Sequence, residues 1–126
     1  MNILIVDDSK AMRSFVTRAV KAAGFPDATY REAGNGVEAL AAIHEKAPDL
    51  VLTDWNMPEM SGFELIQAVK AEGQTCKIGM VTAETQPALR EQALKAGALF
   101  LLCKPFTPEA VRAALQPFLI CSTEEG

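Results

Sequence analysis

The sequence predicts an α/β protein, built on an open, doubly wound sheet of five parallel strands. Three observations lead there. Short apolar runs at residues 3–6, 50–52, 78–81 and 99–103 have the length and continuity of strands buried on both faces. Between them the apolar spacing changes to three and four, the period of a helix packed along one side. Strand and helix alternate five times with short joins, which requires right-handed crossovers between parallel strands and is too few units to close an eight-stranded barrel.

The elements follow in order. Residues 3–6 lead into a helix whose inward stripe is Met12, Phe15, Val16, Ala19, Val20 and Ala23, stopped by Gly24. Residues 28–33 mix Tyr30 with Arg31 and Glu32 and read as a strand at the edge of the sheet. Asn35, with Glu38 three residues on, opens a second helix with Val37, Leu40, Ala41 and His44 as its expected inward stripe, closing before Pro48. After the third strand, Ser61 and Glu64 have the spacing of a capping box for a helix ending at Gly73. Pro87 and Gly97 bracket the fourth helix. Thr107, Pro108 and Glu109 supply an N-cap, a first-position proline and a first-turn acid for the fifth, with Val111, Ala114, Leu115 and Phe118 inward and fraying expected at Pro117.

Composition narrows the function. With 126 residues, 49% of them hydrophobic and 22% charged, the chain is sized and balanced for one globular domain. Its net charge of −4 and scattered Lys and Arg exclude a nucleic-acid footprint. Its apolar runs are too short to span a bilayer, and residues 3–6 lack the basic flank of a signal peptide. Cys76, Cys103 and Cys121 are odd in number and widely spaced, fitting a reducing cytoplasm better than a disulfide scaffold or a zinc site.

In a parallel sheet all strand C-termini share one edge, and ligands bind in the crevice outside it. Asp7 and Asp8 follow the first run, Asp54 the third strand, Thr82 the fourth and Lys104 the fifth. Alone, each is commonplace, since an acid after a strand often caps a helix. Together they deliver three carboxylates, a hydroxyl and an ammonium to one place. Crowded carboxylates repel unless a hard cation sits among them, and oxygen donors without His or Cys point to Mg²⁺ rather than zinc. A carboxylate can itself take a phosphoryl group. Asp54, on the central strand, is then the nucleophile, Asp7 and Asp8 hold the metal, and Lys104 and Thr82 contact phosphoryl oxygens. An FMN protein of similar architecture would need a phosphate-cradling loop after the first strand, where Asp7 and Asp8 would instead repel the phosphate.

Four segments, Val6-Asp7-Asp8, Asp54-Trp55-Asn56-Met57-Pro58-x-Met60-x-Gly62, Met80-Val81-Thr82-Ala83-Glu84 and Lys104-Pro105-Phe106-Thr107, resemble the receiver domain of bacterial two-component response regulators. The nearest subgroup is the CheY-like single-domain chemotaxis regulators. The resemblance covers essentially the whole chain. It implies the flavodoxin-like (βα)5 strand order 2-1-3-4-5. It also implies a phosphorylation-controlled switch rather than an enzyme, with a phosphoryl group reaching Asp54 from a sensor histidine kinase or a phosphotransfer protein and then hydrolysing slowly. On the same basis Asn56 completes the Mg²⁺ site through its backbone carbonyl, Asp8 ligates directly and Asp7 acts mainly through water. Thr82 moves toward the phosphoryl group, Lys104 pairs with it, and the Lys104-Pro105 bond is cis. Asn56 and Glu84 stand where the family tunes hydrolysis, and the helix 4, strand 5, helix 5 face docks a downstream protein.

One position departs from the pattern. Leu101 stands where the family often carries Tyr or Phe, and Phe100 points to the other face of the strand. This departure points to a switch running mainly through Thr82 and its loop, and it puts in doubt the flagellar-motor binding that the resemblance would otherwise imply, though not receiver function itself. The expected organisation is a receiver domain over residues 1–120 and a short tail over 121–126, with output through another protein. Trp55 reads as a packing residue and built-in reporter, His44 as a surface group, and Ser9 as the cap of the first helix.

Overall fold

A computed structural model describes residues 1–55, 57, 60–73, 76–82, 87–103 and 107–115. The elements run β1 (Asn2–Val6), α1 (Lys10–Ala22), β2 (Thr29–Ala33), α2 (Gly36–Glu45), β3 (Leu50–Asp54), α3 (Gly62–Ala71), β4 (Lys77–Thr82), α4 (Pro87–Ala96) and β5 (Phe100–Cys103). A fifth helix, α5, covers residues 108–115. The strands form one parallel sheet in the order β2-β1-β3-β4-β5, with the polar strand β2 at an edge as its composition predicts.

Because successive strand residues face opposite sides, each apolar run feeds two cores. Ile3, Ile5, Leu50 and Leu52 pack with Val16, Ala19 and Val20 of α1 and with Val111 and Leu115 of α5. Leu4, Val6, Val51, Ile78 and Met80 pack with Ala39 and Ile43 of α2, Leu65, Ile66 and Val69 of α3, and Ala93 of α4. Two helices thus cover one face of the sheet and three the other, while the parallel pairing brings the strand C-termini to a common edge. Among the described residues no helix is long and apolar enough to cross a membrane.

The caps form where the side chains predict them. Ser9 Oγ accepts the Met12 N–H at 3.3 Å and Asn35 Oδ1 the Glu38 N–H at 2.8 Å. Ser61 and Glu64 close a reciprocal capping box, and Thr107 Oγ1 accepts the Ala110 N–H at 3.1 Å. Gly24 and Gly97 both take φ of +123°, a conformation that L side chains rarely adopt, and end α1 and α4.

Helix α2 differs from the expected phase. Of the expected stripe Leu40 does pack against the core, but Val37 is 48% exposed, Ala41 and His44 are also exposed, and the fully buried residues are Gly36, Ala39 and Ile43. Apolar residues occupy so much of this helix that its period admits two registers. Contact with the loop selects one, since a Cβ on Gly36 would lie 2.7 Å from Met60 Cβ. His44 instead reaches Glu72 at the end of α3, Nε2 to Oε1 2.6 Å. Cys76 is buried, and burial pushes its thiol up, keeping it protonated and inert.

Phe100 and Leu101 do face opposite ways. Phe100 joins the α1/α5 core, while Leu101 packs against the other. The Phe100 ring lies where a side chain on its register partner Gly79 would go, because a Cβ there would fall 2.2 Å from Phe100 Cζ. Gly79→Ala gains a little from a stiffer unfolded chain but overpacks this contact, so a net loss of about 1–3 kcal/mol is expected. A lower urea midpoint at unchanged slope checks it, and adding Phe100→Leu should recover part of the loss.

Candidate functional site

Site residues sit where strands stop. Asp54 is the last residue of β3 and Thr82 the last of β4, while Asp7 and Asp8 follow β1 directly. Register places them at one edge: Val6 pairs with Thr53, Asp54 with Val81, and Thr82 with Cys103. Asp7, Asp8 and Asp54 each offer a carboxylate oxygen, all within 4.8 Å of one another. Asp7 is buried at 3% exposure, Asp54 is intermediate and Asp8 is exposed, so the cluster opens to solvent on one side.

Local bonds aim these groups. The Ser9 N–H donates to Asp7 Oδ1 at 2.9 Å, so Ser9 serves the cluster through its backbone as well as capping α1 through its hydroxyl. The Asp7 N–H donates to the Ala33 carbonyl at 3.1 Å, tying the turn to the end of β2. The Trp55 N–H donates to Asp54 Oδ1 at 2.9 Å and orients that carboxylate. The Trp55 ring lies tilted against Phe63, with centroids 5.8 Å apart. Thr82 is buried at 1% exposure, one residue beyond the register partner of Asp54. Asn56, Lys104, the Lys104-Pro105 bond and Glu84 lie outside the described residues.

Two contributors escaped the sequence reading. Gly62 opens α3 with its N–H donated to the Trp55 carbonyl at 2.9 Å, and a Cβ there would sit 2.3 Å from the Asp54 carbonyl oxygen. Its place eight residues after Asp54 was visible, but not that α3 presses on the acceptor's own backbone. Arg13, one helical turn into α1, donates from Nη1 to the Asp7 carbonyl at 2.6 Å. No sequence pattern singled it out.

Comparison with known proteins decides the family. The family model for the response regulator receiver domain matches residues 3–116. This chain belongs to the response regulator receiver domain family. It is 40% identical over 129 residues to a chemotaxis protein CheY homolog of Campylobacter jejuni (strain 81-176), covering all of this chain and 98% of the relative. It is 38% identical over 122 residues to chemotaxis protein CheY1 of Helicobacter pylori (strain J99), covering 94% and 97%. The structure of chemotaxis response regulator CheY4 of Vibrio cholerae superposes with a TM-score of 0.82 at 37% identity, covering 94% of this chain and 98% of that one.

As a receiver, the chain is a phosphorylation switch of the CheY-like type. Receivers take their phosphoryl group from a kinase or phosphotransfer partner and act on a downstream target. The receiver's acidic cluster has the donor set for a metal ion: oxygen only, partly open, and held by hydrogen bonds.

Proposed function

We propose that this receiver is an Mg²⁺-dependent phosphoryl acceptor whose nucleophile is Asp54. One observation carries the reading: three carboxylate oxygens gathered within 4.8 Å at the ends of β1 and β3. Oxygens sharing one Mg²⁺ stand about 3–4 Å apart at bond lengths near 2.0–2.1 Å, so a small contraction suffices. Asp8 and Asp54 would ligate directly, Asp7 mainly through water, and the Asn56 carbonyl would complete the protein's share. When bound, the ion neutralises negative charge on the phosphoryl oxygens.

The chain's own residues do the rest. The Trp55 N–H holds the Asp54 carboxylate in place while one of its oxygens attacks the phosphorus of a phosphohistidine on a sensor histidine kinase or phosphotransfer protein. A P–O bond forms, the P–N bond breaks, and the imidazole leaves with the electron pair. The Thr82 hydroxyl and the Lys104 ammonium then hold phosphoryl oxygens, and hydrolysis resets the switch slowly. Output runs through the α4, β5, α5 face, where Leu94 and Leu99 are 40% and 36% exposed. The names of the curated relatives favour a chemotaxis pathway. The working unit is residues 1–120 with 121–126 as a tail, acting in the cytoplasm.

Mg²⁺ with beryllofluoride, a phosphoryl mimic, is expected to change the fluorescence of Trp55, the chain's one tryptophan, saturably, because its backbone N–H donates to the Asp54 carboxylate and so keeps the residue that carries the indole beside the acceptor. Acetyl phosphate with Mg²⁺ should add one phosphoryl mass. A silent tryptophan together with an unshifted mass would overturn the reading.

A further inference from the structure

The backbone of Asp7 is held at both ends. Its N–H goes to Ala33 at the end of β2, and its carbonyl accepts from Arg13 Nη1 at 2.6 Å. The same guanidinium donates through Nε to Glu32 Oε1, also on β2, at 2.7 Å. Arg13 is itself seated, because its backbone N–H donates to the Ser9 carbonyl at 3.0 Å and its side chain is only 17% exposed. One planar fork therefore joins α1, the β1–α1 turn and the edge strand, at the residue from which the acid pair projects.

We infer that Arg13 is a positioning residue for the acid pair, setting the Mg²⁺ affinity of the switch without touching the ion; this rests on the Mg²⁺ reading above. Mg²⁺ demands near-ideal geometry, so its affinity depends on how well its ligands are pre-placed. The Asp7 carbonyl leads straight into Asp8, and any swing of that peptide moves both carboxylates. Glu32 holds the guanidinium toward β2 through Nε, while Nη1 holds the Asp7 carbonyl. A lysine reproduces this poorly, since its ammonium is a compact point charge on a flexible stem, without the rigid planar spread that lets Nε and Nη1 reach two separate acceptors at once.

The test is Mg²⁺ titration of the full chain, followed by Trp55 fluorescence, for wild type, Arg13→Gln, Arg13→Lys and Glu32→Gln. Folding is checked by circular dichroism and thermal melts. Partners that orient metal ligands typically contribute 10–100-fold in metal affinity, so Arg13→Gln should raise the Mg²⁺ dissociation constant about tenfold or more. Arg13→Lys should recover little of this, and Glu32→Gln should fall between. A residue that merely braces the fold would lower the melting temperature and leave the dissociation constant alone. If folded Arg13→Gln, or Arg13→Lys and Glu32→Gln should Arg13→Gln not fold, bind Mg²⁺ as wild type does, the inference is wrong while the Mg²⁺ reading stands. If wild type itself shows no saturable Mg²⁺ binding, the parent reading falls and takes this one with it.

Discussion

Asp54→Asn is expected to leave no phosphoryl group on the protein after incubation with acetyl phosphate and Mg²⁺, where wild type takes up one. The amide is neutral and a poor nucleophile, so the acyl phosphate cannot form. The fold should survive, because an Asn oxygen can still accept the Trp55 N–H that Asp54 Oδ1 accepts at 2.9 Å. Without metal the variant should melt a few degrees higher, since one of three carboxylates clustered within 4.8 Å has lost its charge. Stabilisation by Mg²⁺, about 2.7 kcal/mol for wild type at a hundred times the dissociation constant, should shrink at the same concentration. Intact-protein mass spectrometry and paired melts read both effects, and a phosphorylated Asn variant would place the acceptor elsewhere.

Gly62→Ala should be the most damaging single-methyl change near the site. Ala suits the first turn of a helix better than Gly does, so propensity alone predicts a gain. Contact predicts the opposite. The new Cβ would lie 2.3 Å from the Asp54 carbonyl oxygen and 2.9 Å from Met80 Sδ. The sulfur can turn aside, but the backbone oxygen cannot, because the Thr53 hydroxyl also donates to it at 3.1 Å. Either α3 retreats or the end of β3 tilts, and overpacking of this kind costs about 1–3 kcal/mol or somewhat more. For a chain of this size that is a fall of about 10 °C in melting temperature, readable by calorimetry. Mg²⁺ affinity should fall with it, since Asp54 moves. An unchanged melt would mean that the loop before α3 absorbs the methyl group.

Much of this was legible beforehand because it depends on local chemistry. Buried strands of a parallel sheet must be apolar on both faces, so the runs around Leu4, Val51 and Ile78 declared themselves. Caps act within a turn, so Ser9, Asn35, Ser61 and Thr107 could be read from three-residue spacing. Helix α2 was misphased because its apolar residues nearly encircle it, and a contact with Met60, distant in sequence, chose the face. Arg13 and Gly62 went unread for a related reason: each acts on a backbone carbonyl, an atom every residue carries and no sequence pattern marks.

What the sequence by itself determined was the five-fold strand–helix alternation and the delivery of Asp7, Asp8, Asp54 and Thr82 to the strand ends, because periodicity and parallel direction follow from residue type and order alone. Tertiary structure decided the rest. It set the phase of α2, turned Phe100 into the space left by Gly79, drew the three carboxylates within 4.8 Å, and braced their turn through Arg13 and Glu32. Those outcomes depend on distances between residues far apart in the chain, which exist only once the helices have closed over both faces of the sheet.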